Sequence, residues 1–462
     1  MDGDVRINPY LSGNFAPVRS EDDFDLVVKG EIPKELKGTL YRTGPNPQFE
    51  PRGEYHWFTG DGMIHAFHVE DGKVSYRNRY VRTPKWELEN SEGRALFGGF
   101  GNPMTTDPIA QGKESGVANT NILFHAGRLL ALEEAHAPFE MAERTLDSKG
   151  YATEYNGKVT AHPKIDPKTG EMVWFGYGVG DVPLSAGMSY GVTDASGKVV
   201  RRDDFQAPFS SMVHDFLVTE NYALFPILPL TGSLERAMKG LPAYAWEPDK
   251  GSHVGVMRRD GEVASIRWFN APPSYVFHPM NAWEEGGKII ADVFRYDTAP
   301  LFPNADGSPG QHSAARMVRW TFDLDGNSDA IKEEAIDDLD GEFPRFDERY
   351  AGSAHRHGWY AADPSNAKTI KQTAIAHLDL VTGKRQVYAL TGGDMTSEPV
   401  FTPRSAEAAE GDGWITAVVW RAAEDRSDLL VFEALDIAKG PIAVAELPRR
   451  VPFGFHGNWV AG

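Results

Sequence analysis

Short runs of alternating apolar and polar residues, each closed by a polar turn, recur along almost the whole chain. Alternation with a period of two marks a half-buried strand. The turns between the runs combine glycine with aspartate: Glu70-Asp-Gly-Lys73, Asp166-Pro-Lys-Thr-Gly170, Asp194-Ala-Ser-Gly197, Arg259-Asp-Gly-Glu262, Asp323-Leu-Asp-Gly326 and Asp379-Leu-Val-Thr-Gly383. Glycine supplies the positive φ of a tight hairpin, and the aspartate side chain closes the turn. Helical signals are few. One helix is expected within 84–96, opening on Pro84, and a short one within 234–239. The units are degenerate and irregularly spaced, but their number and spread favour a closed all-β architecture, a β-propeller, over a sandwich. No linker interrupts them, so the reading is a single domain over 1–462, with the turn-rich residues 1–35 as a wrapping arm. The apolar run Tyr222–Leu230 reads as a buried strand and its exit loop, or as an apolar mouth for a substrate.

Composition narrows the chemistry. The chain of 462 residues has no cysteine, which removes disulfides, thiolate metal sites and cysteine nucleophiles; a metal site must use His, Asp or Glu. Glycine (47) and proline (31) are dispersed among apolar runs, which indicates turns rather than disorder. A formal charge of −19 argues against a nucleic-acid backbone as partner. No signal peptide is visible at Met1-Asp-Gly-Asp-Val5, and no apolar run reaches the ~20 residues that span a bilayer, so a cytoplasmic location is expected, with contact at a membrane surface left open. Oligomeric state is left open.

Among 14 histidines, four share one setting: an apolar, strand-like run followed at once by Pro, Asp or Gly. They are His162, His214, His278 and His456, the last in Val451-Pro-Phe-Gly-Phe-His456-Gly-Asn-Trp459, which reads as a terminal strand. Their separations are too long for one helix or hairpin but suit different blades aimed at a common axis. Four neutral imidazoles on one metal ion is the reading, although each alone is also an ordinary core histidine. Such a site wants carboxylates behind it, accepting from the distal ring nitrogens. Glu134, Glu342 and Glu398 stand in apolar or turn contexts; each can equally be a loop acid, and for Glu398 the inner position is favoured. Asp61 reads as a turn residue. His355 and His357 resemble a metal pair but read as structural. Gly187-Met-Ser-Tyr-Gly191 matches a nucleophile elbow by letters, but strand and turn follow it where a helix is needed.

The motifs together resemble the carotenoid cleavage oxygenases, most closely their bacterial lignostilbene- and isoeugenol-cleaving branch. The resemblance runs nearly end to end, through Tyr41-Arg-Thr-Gly-Pro-Asn-Pro47, His56-Trp-Phe-Thr-Gly-Asp-Gly-Met63, Val117-Ala-Asn-Thr120, Ala161-His-Pro-Lys164, Val213-His-Asp-Phe216, Phe277-His-Pro-Met-Asn-Ala282, Ser397-Glu-Pro-Val-Phe401 and Phe455-His-Gly457. It implies a seven-bladed β-propeller with a helical and loop dome over a central iron site. It also implies Fe(II) on His162, His214, His278 and His456, with Glu134, Glu342 and Glu398 orienting three of them, and Thr120 crowding an open coordination position. The implied reaction is cleavage of a conjugated C=C bond by O2 into two carbonyl products, with no organic cofactor. A four-histidine site also suits Zn(II) or Cu(II).

In that branch a Tyr and a Lys grip a phenolic hydroxyl; they align here with Phe100 and Glu133. Phe100 cannot hydrogen-bond, and Glu133 repels a phenolate but can accept from a neutral phenol. A stilbenoid or phenylpropenoid is the favoured substrate, and an apocarotenoid or carotenoid is the alternative. The other readings are an isomerase or ester hydrolase on the same site, and a non-catalytic propeller that binds a ligand. Oxygen consumption and an iron assay separate these.

Overall fold

Hairpins that share no repeat length nonetheless close into a ring. The computed structural model describes residues 8–100, 103–365 and 371–462. Among them, seven antiparallel sheets of four or more strands form the blades of a propeller. The first blade runs outward from Gly457–Ala461 through Gly38–Pro45, Gly62–Glu70 and Lys73–Tyr80. The second holds Asn121–His125, Arg128–Leu132, Phe139–Met141 and Ser148–Tyr151; the third Lys164–Ile165, Met172–Tyr177, Gly187–Thr193 and Val199–Gln206. Leu217–Val218, Tyr222–Ile227, Ser252–Arg258 and Arg267–Ala271 make the fourth. Tyr275–Glu285, Lys288–Tyr296, Arg316–Asp323 and Lys332–Ala335 make the fifth, and Asp340–Phe346, His357–Asp363, Ala374–Asp379 and Lys384–Ala389 the sixth. The seventh starts with two short pieces, Met395–Thr396 and Val400–Pro403, then Gly413–Arg421, Arg426–Glu433 and Ala443–Leu447.

The expected turns do the folding. Asp71 (φ 50°) and Gly72 (φ 74°) form a two-residue hairpin joining strands that pair from Met63 with Tyr80 to Glu70 with Lys73. Apolar faces of neighbouring blades meet in the core: Val254 and Phe269 of the fourth blade pack with Val293, Phe294 and Trp320 of the fifth. Burying each such side chain contributes roughly 1.5–3 kcal/mol.

The arm does more than wrap. Asp23–Asp25 pairs with the outer strand of the first blade, and Val27–Gly30 with that of the seventh. One short segment thus adds a fifth strand to the first blade and a sixth to the seventh. Residues 1–7 of the arm lie outside the described residues.

The first helix is Pro84–Glu92, capped by Thr83 and ended by Gly93 in the left-handed region at φ 68°. The second is Leu234–Met238, capped by Ser233. Asp61, read as a turn residue, also anchors an ion-pair network. It is buried, takes Lys85 Nζ at 2.6 Å, and accepts from the Gln48 amide at 3.0 Å. Lys85 also donates to Glu89 at 2.9 Å, and Glu89 accepts from the amides of Leu96 (2.7 Å) and Phe97 (3.1 Å). This buried triad ties the helix, and the loop leading to Phe100, to the first blade.

The remaining motifs resolve as structure. Ser189 is fully buried inside Gly187–Thr193, and a Cβ on Gly191 would lie 2.1 Å from the Trp174 ring, so the glycine serves packing. His355 and His357 part company: the first contacts Asn281 at 3.3 Å, the second His377 at 3.1 Å. Tyr222–Ile227 is a buried strand. Among the described residues no helix is long and apolar enough to cross a membrane.

Candidate metal centre

Each of the seven blades delivers one side chain to the centre. His456 precedes the inner strand of the first blade, and Glu134 follows Arg128–Leu132 of the second. His162 and His214 stand just before the inner strands of the third and fourth. His278 lies in the inner strand of the fifth and Glu342 in that of the sixth, while Glu398 sits between the two inner pieces of the seventh. Irregular register at Val276–Asn281 and at Glu342–Arg345 re-aims His278 and Glu342 out of the regular ladder. Pro279, lacking an N–H, and Phe343 at φ 54° mark these kinks.

The terminal strand begins at Gly457, not at Val451. Before it the chain is pinned by bonds outside any ladder: the amides of Phe453, Phe455 and His456 donate to Asn14, Thr43 and Thr120. Gly44 and Gly454 let the backbones touch; a Cβ on Gly44 would lie 2.6 Å from Gly454 Cα.

The four imidazoles are buried, and one nitrogen from each lies within 4.8 Å of the others. Nε2 of His214 is 3.1 Å from that of His162 and 3.0 Å from that of His278. The distal nitrogens face carboxylates. His214 Nδ1 donates to Glu134, His278 Nδ1 to Glu342 at 2.5 Å, and His456 Nδ1 to Glu398 at 3.0 Å. The glutamates are held in turn. Tyr177 donates to Glu134 at 2.5 Å, Tyr296 to Glu342 at 3.0 Å, and the Gly457 amide to Glu398 at 2.9 Å, with Arg345 3.5 Å from the same group.

Electrostatics at Glu398, Glu342, His456 and His162 agree with this tautomer. Burial works against ionising Glu398, but Arg345, His456 and the Gly457 amide outweigh it and hold its pKa near about 2. Glu342 is likewise lowered, its burial outweighed chiefly by His278. Burial drives His456 down to about 4 despite Glu398, and drives His162 well below the ordinary value, helped by the other imidazoles. An ionised carboxylate is acceptor-only, so the Nδ1 atoms it faces carry the hydrogens and the Nε2 atoms present bare lone pairs. Between His214 and His278 the two Nε2 atoms face each other at 3.0 Å; burial disfavours the His278 cation, but Glu342 outweighs it and raises its pKa, so a proton shared across this contact stands where a metal ion would. A cation between them satisfies both, so the donor set fits a divalent metal ion.

Two cavities reach this centre. One is apolar and touches His214, His278 and His456; Phe58, Phe277, Leu301, Phe343 and Phe455 line it. The other touches His162, His278 and His456 and is lined by Lys164, Asp215, Arg345 and Glu398.

A family model described as retinal pigment epithelial membrane protein matches residues 15–461. The isoeugenol monooxygenase of Pseudomonas putida is 40% identical over 98% of this chain and 98% of its own. The chain belongs to the carotenoid cleavage oxygenase family. A carotenoid cleavage oxygenase of Mycobacterium tuberculosis is 35% identical over 98% of this chain and 97% of its own. The crystal structure of Pseudomonas brassicacearum lignostilbene dioxygenase superposes with a TM-score of 0.93 at 37% identity, covering 98% of this chain and 99% of that one.

The three residues expected on the substrate side, Thr120, Phe100 and Glu133, are placed as follows. Thr120 donates its hydroxyl to Asn119 at 2.9 Å, and its carbonyl accepts the His456 amide at 3.2 Å, so it lies against a candidate ligand. Phe100 packs among His56 (4.9 Å), Phe58 (6.0 Å), Tyr244 (6.0 Å) and Phe302 (6.2 Å). Glu133 accepts from the Val117 amide at 2.9 Å and pairs with His136 Nδ1 at 2.9 Å; His136 also pairs with Glu114. Glu133 is therefore engaged within the protein. Burial disfavours the His136 cation, but Glu133 and Glu114 together raise its pKa to about 10.

That raised value has a sign. The folded pKa exceeds the ordinary 6.5. The stability this cation contributes is complete below about 6.5 and is lost as pH rises through about 10. His136→Gln is expected to lower the melting temperature most near pH 6, with the gap to wild type closing toward pH 10. A gap that stays constant across melts at stepped pH would remove the cation from the account.

Signals for Tyr177, Tyr296, Lys164 and Asp215 were weak or absent in the sequence. Asp215 stands beside His214 in Val213-His-Asp-Phe216, where it looked like a turn former; the two tyrosines lie in ordinary strands.

Proposed function

We propose that this protein is a non-haem Fe(II) dioxygenase that splits the C=C bond of an aryl alkene, a stilbenoid or phenylpropenoid, with O2 to give two carbonyl products. The convergence of four buried imidazoles, three of them backed by carboxylates, at the end of an apolar cavity carries this reading. His162, His214, His278 and His456 would hold the ion, and Glu134, Glu342 and Glu398 would fix the ring planes. Iron(II), when bound, supplies the one-electron chemistry that a spin-paired alkene and triplet O2 lack between them. The alkene furnishes all the electrons that reduce O2, so no reductant or organic cofactor enters. Phe58, Phe277 and Phe343 exclude water and confine a flat conjugated molecule, and Thr120 crowds one approach to the ion. The relatives named for isoeugenol and lignostilbene favour the aryl alkene. A second reading, an apocarotenoid, is favoured by one observation: Phe100 and the engaged Glu133 present no polar anchor for a phenol.

The test is aerobic turnover by Fe(II)-reconstituted protein, with metal content and O2 uptake measured alongside. Hydroxystilbenes, propenyl phenols and apocarotenals are offered in parallel. Aromatic aldehydes establish the first substrate class and shortened apocarotenals the second. Products without O2 uptake, or no iron retained, would reject the oxygenase reading.

A further inference from the structure

Three inward imidazoles donate to a glutamate, and those three glutamates come from the three blades that send no histidine inward. His162 has no fourth glutamate to draw on. The carboxylate beside its distal nitrogen is Asp215, with Oδ2 3.7 Å from Nδ1. Asp215 is the neighbour of His214, is buried, and accepts from the Phe216 amide at 2.6 Å. Its other partner is Lys164, whose Nζ lies 2.7 Å from Oδ1. Lys164 is two residues beyond His162 and sits over the Phe216 ring at 5.9 Å. The pair thus ties the turn that carries His162 in the third blade to the turn that carries His214 in the fourth. Both side chains line the second, polar cavity.

We propose that Asp215 is the positioning carboxylate of His162, completing one carboxylate for each imidazole, and that Lys164 holds it in place; this rests on the metal reading above. A separation of 3.7 Å exceeds a direct hydrogen bond, and a sub-ångström swing of the ring, or one bridging water, closes it. The exchange of glutamate for aspartate plus lysine has an electrostatic reason. Three buried glutamates already bring three negative charges to a dipositive ion. A fourth unpaired carboxylate would over-neutralise it, whereas the Asp215–Lys164 pair adds an acceptor and no net charge.

The experiment measures metal binding directly. Wild type, Asp215→Leu, Asp215→Asn and Lys164→Met are loaded with Fe(II) without oxygen. The dissociation constant is read by competition with a ferrous chelator, and the electron paramagnetic resonance of the nitric oxide adduct reports the ligand field. Melting of the metal-free proteins checks folding. Asp215→Leu is expected to weaken Fe(II) binding by about 10–100-fold and to change the adduct spectrum, as loss of an outer-shell partner does. Asp215→Asn, which keeps an acceptor, and Lys164→Met are expected to weaken it less, with melting near wild type. Wild-type affinity and spectrum in Asp215→Leu would overturn the assignment. Should that variant not fold, the same null result in both Asp215→Asn and Lys164→Met would overturn it. A wild type that retains no Fe(II) would remove the metal reading itself, and the assignment with it.

Discussion

His278→Ala is expected to abolish iron retention and to cut turnover by about 1,000-fold or more. Two losses combine. The imidazole is one of the four whose nitrogens converge within 4.8 Å, so the cage loses a corner. The same ring is the 2.5 Å partner of Glu342, and its removal leaves a buried carboxylate with only Tyr296 and the Phe343 amide. Breaking a buried charged pair on one side costs about 3–5 kcal/mol. Metal analysis of the purified variant decides the first loss and its metal-free melting curve the second. Full iron occupancy would take His278 out of the ligand set.

Glu133→Lys is expected to destabilise the protein by about 3–5 kcal/mol rather than to install a phenol anchor. The lysine would replace the acceptor of the Val117 amide and set a second cation against His136. The exchange at this position alone is therefore the wrong experiment. Phe100→Tyr is expected to raise kcat/KM on 4-hydroxystilbenes several-fold by itself, because Phe100 packs on Phe58, which lines the apolar cavity. Adding Glu133→Lys together with His136→Gln, which clears the competing cation, is expected to raise it further. Melting curves and kcat/KM on hydroxylated and unhydroxylated stilbenes check both statements. A stable Glu133→Lys single variant would mean that the Glu133–His136–Glu114 group is not the constraint described.

The histidines were legible because each stands in an apolar run broken at once by Pro, Asp or Gly, and those breakers turn a side chain inward off a blade. The glutamates were legible only in part. Glu342 owes its aim to irregular register, and a bulge leaves little trace in a hydrophobic pattern. For Asp61 the Gly60-Asp-Gly62 context showed a turn but not its ion pair, because the partner Lys85 lies 24 positions away and only the folded helix shows that Lys85 is buried. The strands of the arm were invisible because Asp23–Asp25 and Val27–Gly30 are short, outermost and largely exposed, so no alternation marks them. Asp215 carried the right letter in the right motif, but only the third and fourth blades side by side show that it faces His162 rather than its own neighbour.

The seam of the ring has a consequence in time. Gly457–Ala461 pairs with Gly38–Pro45, strands separated by nearly the whole chain. His456 stands on that seam. A ribosome releases the chain from its N-terminal end, so His162, His214 and His278 emerge while the circle is still open, and the last corner follows some 180 residues after His278. Until then the nascent polypeptide holds three imidazoles on an unclosed arc. The four-imidazole cluster therefore forms only after His456 has emerged, and a product terminated before it lacks the cluster however well its blades stack.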